Sequence, residues 1–134
     1  MRRDVYFGNL KLNGKDHYES LVAAGNYISS LVDMRRFEEA KPLLRKVMRV
    51  ARRVLGEDDD LMLRMRWNHG EVLYKDDGAT LDDLREAVST LEDVTRTAKR
   101  VLGGAHPITT GIEGELRASR AALRARETLQ PGSG

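Results

Sequence analysis

The tetrapeptide Arg53-Val54-Leu55-Gly56 returns unchanged as Arg100-Val101-Leu102-Gly103, each time with an alanine two residues ahead of it, Ala51 and Ala98. Each copy closes a long stretch of helical periodicity, so the chain is an internal repeat, and a repeat limits the fold before any single residue is interpreted. Gly14 and Gly56 stand 42 residues apart, as do Asn26 and Asn68, whereas Gly56 and Gly103 stand 47 apart, as do Glu39-Ala40 and Glu86-Ala87. The unit is therefore about 42 residues long, with five more inserted between Tyr74 and Glu86 of the second copy. The added piece, about Lys75 to Thr80, is polar and contains Gly78, the composition of an enlarged turn.

Apolar spacing assigns helices to the unit. Leu21, Ala24, Gly25, Ile28, Leu31 and Val32 predict a helix over 17–33, with Asp16 and Glu19 as a capping box. After a turn at Met34-Arg35-Arg36, a second helix over 37–55 carries Leu43, Leu44, Val47, Met48, Ala51, Val54 and Leu55. Pro42 is awkward inside it, which argues for a regular start near Ala40 or Lys41, with Phe37 packing from an irregular or first-turn position. Gly56 caps this helix in a left-handed conformation. One Asp of the run Glu57 to Asp60 caps a third helix over 60–75, whose Leu61, Met65, Trp67, Val72, Leu73 and Tyr74 are less cleanly periodic. Thr80 and Asp83 open a fourth, over 81–102, burying Leu84, Val88, Leu91, Ala98, Val101 and Leu102. His106-Pro107 opens the fifth, with Ile108, Ile112, Leu116, Ser119 and Leu123 on its face and Gly111 and Gly114 weakening its first turns.

The expected organisation is an irregular arm over 1–15, a repeat domain over 16–128 and a disordered tail over 129–134. Within the domain lie pairs over 17–55 and 60–102 and a terminal helix over 107–127. A length of 134 residues suits one domain. Composition, 33% charged with only 5% aromatic, favours helices over sheets. The 23 basic residues face 21 acidic ones, for a net charge of +2, so bulk attraction to nucleic acid is weak. There is no cysteine, which removes disulfides and thiolate chemistry and suits a reducing compartment. No run approaches the roughly 18 apolar residues of a membrane span, and Met1-Arg2-Arg3 leads into Asp4 rather than an apolar signal core. A cytoplasmic location is expected, with no membrane partner.

The element Leu102-Gly103-Gly104-Ala105-His106-Pro107-Ile108-Thr109 resembles the Leu-Gly-x-x-His-Pro-x-Thr linker that joins helix pairs in the tetratricopeptide arrays of kinesin light chains and their relatives. Degraded copies stand at Gly14 to Leu21, with Tyr18 in place of proline, and at Leu55 to Met62, without His and Pro. Asn26 to Val32 and Asn68 to Tyr74 are similar to the family's Asn-Leu-Ala-x-x-Leu-Tyr segment. Phe37-Glu38-Glu39-Ala40 and Leu84-Arg85-Glu86-Ala87 are similar to its second-helix signature. The resemblance covers about residues 14–123. His69-Gly70 departs from the usual small apolar pair, and the light chains carry longer arrays beside a coiled coil, so a fragment or repeat-only relative fits better than a complete light chain. It implies a right-handed α-α superhelix of five antiparallel helices, with an extended peptide on the concave surface.

In that family the asparagine of the first helix lines the inner surface, which the resemblance carries to Asn26 and Asn68. An amide suits the role because it both donates and accepts, matching a peptide unit. Ser29 and Asp33 extend the Asn26 line, and Arg64 and Lys75 flank Asn68 by one and two turns, giving a groove of mixed sign. Arg45, Arg49 and Arg52, repeated as Arg96, Lys99 and Arg100, form a candidate basic partner surface opposite the apolar stripes. The absence of interleaved aromatics argues against single-stranded nucleic acid there. His17, His69 and His106 have no metal-ligand spacing, and His106 is expected to bond within its linker. Trp67 is expected to pack between pairs. No constellation suggests catalysis, a metal or a cofactor. The chain reads as an interaction module for a protein or peptide. The alternatives are a structural fragment that self-associates through its array ends and, third, a basic nucleic-acid-binding surface.

Overall fold

Among the described residues the chain is all-α: α1 Lys15–Asp33, α2 Phe37–Leu55, α3 Asp60–Lys75, α4 Leu81–Leu102 and α5 Pro107–Leu129. The computed structural model describes residues 15–129, without the side chains of 15–17. Of the arm expected over 1–15 and the tail expected over 129–134, only Lys15 and Leu129 are described, and both are helical instead; the rest of each, and the cap expected of Asp16, lie outside what is described. The chain divides into two compact units, residues 1–65 and 66–134, and α3 begins in the first and ends in the second.

In the first unit α1 packs on α2. The spacing of α1 buries Leu21, Ala24, Ile28, Leu31 and Val32, as expected. α2 is the most sharply two-faced helix: Phe37, Ala40, Leu43, Leu44, Val47, Met48 and Ala51 are buried, while Arg45, Lys46, Arg49, Arg52 and Arg53 are exposed. Each large apolar side chain buried in this way contributes about 1.5–3 kcal/mol. That gain explains a departure from expectation. α2 starts at Phe37 rather than Ala40, with Pro42 inside it and the Ala40 amide bonded to the Arg36 carbonyl at 3.1 Å. Starting early buries Phe37, and the hydrogen bond that Pro42 cannot donate is the cost.

The turn into α2 is a Schellman motif. Arg35 takes φ +60°, its amide bonds the Val32 carbonyl at 2.9 Å, and the Arg36 amide bonds that of Leu31 at 2.8 Å. Against the first unit's part of α3, Gly25 of α1 faces Leu61 and Met65. Asp59 caps α3, its carboxylate accepting from the Leu61 amide at 2.8 Å.

Both copies of Arg-Val-Leu-Gly end their helices identically. Gly56 (φ 83°, ψ 173°) and Gly103 (φ 94°, ψ 155°) each donate their amide to the carbonyl four residues back, on Arg52 and Lys99. The positive φ was expected, but the extended ψ places both glycines outside the left-handed helical region, in one open essentially to glycine alone. The valines differ from expectation too. Val54 and Val101, assigned to buried stripes, are exposed in both copies.

In the second unit α4 packs on α5. α4 buries Leu84, Ala87, Leu91, Val94, Thr95 and Ala98, and its start is the expected capping box, Thr80 and Asp83 each bonding the other's amide. His106 makes the expected linker bond, its Nδ1 accepting from the Ile108 amide at 3.1 Å, with Pro107 as first residue of α5. The enlarged turn is tied down at both ends. The Asp76 carboxylate accepts from the Gly78 amide at 3.1 Å, Ala79 is buried, and Arg126 of α5 donates to the Ala79 carbonyl at 2.7 Å.

Two glycines govern how α3 meets its neighbours in this unit. A Cβ on Gly70 would lie 2.5 Å from Leu91 Cγ, and one on Gly111 would lie 2.3 Å from Trp67 Cη2. Gly111 is thus a seat for the indole rather than a weak point of α5. Gly111→Ala is expected to lower stability by about 1–3 kcal/mol through overpacking. Gly114→Ala, whose methyl would meet only Arg117 Nη2 at 3.8 Å, should raise it by about 0.5–1 kcal/mol through helix propensity. Urea unfolding followed by circular dichroism checks both, and equal stabilities would refute the packing role of Gly111. By the same measurement Gly56→Ala and Gly103→Ala should each cost about 1–3 kcal/mol through backbone strain.

Candidate functional site

The expected site residues fall into both units. In the first, Asn26 is exposed midway along α1, and Ser29 and Asp33 follow at three and seven residues, which keeps all three on one face. Ser29 is half-buried, Asp33 is exposed, and Arg64 is exposed on α3. In the second, Asn68 and Lys75 are both half-buried on α3, again seven residues apart. Between them in sequence lies a side chain not singled out there, Glu71, which pairs with Lys75.

Lys75 is held rather than presented. Its Nζ lies 2.7 Å from Glu71 Oε2 and 3.3 Å from Glu115 Oε2, and both carboxylates are largely buried. Glu115 gathers the rest of a polar cluster between α3 and α5. Its Oε1 accepts from Trp67 Nε1 at 3.1 Å, and its Oε2 accepts from the Tyr74 hydroxyl. Trp67, Glu71 and Tyr74 recur at four and three residues, so one face of α3 supplies them, and Gly111 and Glu115, four apart, supply the matching face of α5. The Glu71–Lys75 spacing was readable in the sequence as a helical ion pair. Glu115 was not, because nothing local marks which distant residue an indole or phenol will meet.

The cluster keeps its protons. Burial, then the hydrogen bond to Glu115 and the charges of Glu115 and Glu71, push the Tyr74 phenol far above its ordinary value. Burial alone would lower the Lys75 ammonium, but the Glu71 hydrogen bond and the charges of Glu71 and Glu115 outweigh it and raise the group overall. A protonated phenol and a neutralised ammonium offer no base or nucleophile. Their chemistry is that of a satisfied network that fixes α3 on α5.

The expected basic surface is likewise divided. Arg45, Arg49 and Arg52 are exposed on α2, with Arg52 bonded to Glu57, and Arg96, Lys99 and Arg100 are exposed on α4. Arg96 pairs with Asp93, and Lys99 reaches Glu113 of α5 at 3.1 Å. His69 stands 3.9 Å from Glu86. Among the described residues no group of three or more His, Asp or Glu is placed to hold a metal ion, and no helix is long and apolar enough to cross a membrane.

From the end of α1, through its Schellman turn and the whole of α2, to the first residue of α3, the chain therefore has the form of one repeat junction. Residues 29–60 match the tetratricopeptide repeat family. Tetratricopeptide repeats are scaffolding modules, generally associated with protein–protein interaction and not with catalysis. No curated protein and no solved structure matches the chain. The five helices of the described residues, with this match, have the form of a tetratricopeptide-like helical repeat module.

Glu115→Ala should destabilise the second unit by about 1.5–3 kcal/mol, the worth of hydrogen bonds to a charged group. Urea unfolding read by the fluorescence of Trp67, the one tryptophan in the chain, measures it, and an unchanged midpoint would count against the network. Tyr74 and Lys75 both hold their protons more tightly folded than unfolded. The stability they contribute is complete below their ordinary values of 10.0 and 10.5, and it is lost as pH rises past them. The urea midpoint should therefore fall above about pH 10, and fall less in Glu115→Gln, which lacks the charge.

Proposed function

We propose that this chain is a protein-interaction module that holds an extended peptide on the inner surface of its repeats, with Asn26 and Asn68 reading the peptide backbone. The observation that carries it is Asn26, an exposed amide in the middle of α1, on one face with Ser29 and Asp33 and immediately ahead of the segment that matches the tetratricopeptide family. Asparagine is poorer than alanine in a helix interior by about half a kcal/mol. A residue that costs stability, stands in water and recurs at the same place in the next repeat fits recognition better than folding.

Ser29, Asp33, Arg64 and Lys75 complete the proposed contact set. Arg64 supplies exposed positive charge, while Lys75, neutralised by Glu71 and Glu115, supplies mixed-sign character instead of a free cation. The linker at Leu102 to Thr109 supports repeats of the kinesin light chain type as the form of the module in this reading, and the cytoplasm is its proposed place of action.

A peptide selected from a random display library against the whole chain provides the test. Asn26→Ala/Asn68→Ala should weaken it by at least roughly tenfold, the loss expected from one or two hydrogen bonds at a dry contact. Circular dichroism and Trp67 fluorescence should stay those of the wild type. If every selected peptide bound the double variant undiminished, the asparagines would not be the backbone readers.

A further inference from the structure

The cations of α4 do not stand alone in the second unit. Arg96 and Lys99, one helical turn apart, face Arg117 and Arg120 of α5, and between the two helices runs a cleft of about 580 Å³. Its floor is apolar. Leu116 and Thr95 are buried there, and the Thr95 hydroxyl is spent on the Leu91 carbonyl at 2.6 Å. Two acids sit on the rim, Glu92 and Glu113, and each already has a cation from across the cleft: Arg120 at 2.9 Å and Lys99 at 3.1 Å. Arg96 leans on Asp93, and Arg117 has no ion-pair partner among the described residues.

We propose that this cleft is a second binding site, which takes an acidic helical segment of a partner protein. With Asp93 counted beside Arg96, four cations meet three carboxylates, which leaves the rim positive by one charge, on Arg117, and the existing pairs do not close it. Lys99 and Arg120 are half-exposed, and ion pairs in that setting are weak and exchange partners readily. A carboxylate from outside can therefore engage Arg117 first and then compete for its neighbours.

The shape selects a helix. The lining residues run from 92 to 99 on α4 and from 113 to 120 on α5, two turns on each side, about 10 Å long at 1.5 Å per residue. A docked helix with acids three and four residues apart sets a carboxylate against each rim and a small apolar residue over Leu116. Nucleic acid fits less well, because Glu92 and Glu113 repel phosphates and no aromatic side chain lines the cleft for stacking. None of these residues belongs to the asparagine faces, so the site stands or falls independently of the peptide reading above.

The test uses the whole chain and a fluorescein-labelled alanine-based peptide of about 15 residues, long enough to be helical. It carries glutamates at helical spacing and is compared with its glutamine counterpart. Anisotropy should show the glutamate peptide bound at least roughly tenfold more tightly, with the advantage shrinking between about 50 and 300 mM salt. Arg117→Glu/Arg120→Glu should remove binding and Arg117→Gln should weaken it. Arg45→Glu/Arg49→Glu and Asn26→Ala/Asn68→Ala should leave it unchanged. Circular dichroism establishes that each variant is folded. Equal binding of the two peptides, full binding by folded Arg117→Gln, or preference of the cleft for single-stranded RNA over the glutamate peptide would each overturn the proposal.

Discussion

The second unit depends on a missing side chain. Without a Cβ at Gly111, the Trp67 ring can lie directly against the α5 backbone. That position delivers the indole Nε1 to Glu115, one turn along α5. Once Glu115 is fixed, Tyr74, two turns beyond Trp67 on α3, reaches its other oxygen, and Lys75 closes the set with Glu71. Gly70 plays the same part towards α4, where Leu91 occupies the space a methyl would need. α3 therefore contacts α4 and α5 in this unit through two absent methyls, and the polar cluster follows from that approach. Interiors packed to crystal-like density have no slack with which to absorb an added methyl at such points.

Helix ends are specified separately from helix contacts. The repeated Arg-Val-Leu-Gly buries little, since its valine is exposed in both copies, and what it conserves between them is a stop. The glycine in each copy takes a backbone conformation other residues avoid, and its amide caps the same carbonyl. The turn after α3 reaches the same end by other means. Its Asp76 side chain replaces a backbone partner, and its buried Ala79 is held by Arg126 from α5. A longer turn has more conformations to lose, so anchoring it to a helix offsets that entropy.

What the sequence made legible was whatever is local. Period, caps and repeat length placed all five helices, the Thr80–Asp83 box, the His106 bond and the Asp cap of α3, because each depends on residues within one turn of each other. Two of the errors have one physical source. Pro42 and Gly111 were judged by what they do to an isolated helix, where proline removes a bond and glycine costs entropy. In the folded chain the burial of Phe37 outweighs the first effect, and the seating of Trp67 reverses the second. α3 looked weakly periodic because it buries more than one face, with Met62, Leu63, Met65, Val72 and Leu73 all covered. Of the candidate contact residues, Asn26, Ser29 and Asp33 share a face of α1 by their spacing, since the helix runs unbroken through them. It had no means of foreseeing that Glu115 would bind Lys75.

Lys75 and Lys99 show why charge in a sequence is a poor guide to charge available for recognition. Both are lysines on long helices with a carboxylate of α5 within reach. Lys75 lies among two largely buried carboxylates, and removing either would leave its ammonium poorly compensated in a region of reduced solvent. Its attraction is spent inside the fold. Lys99 is 54% exposed and its partner Glu113 is 28% exposed, so water screens the pair and another anion can replace Glu113 at little cost. Two cations of the same type are thereby sorted by burial, one to hold α3 on α5 and one to remain exchangeable at the surface. The same criterion applies along the α4–α5 cleft. Its acids are paired only across open solvent-facing rims, and its net positive charge survives folding because no buried carboxylate consumes it.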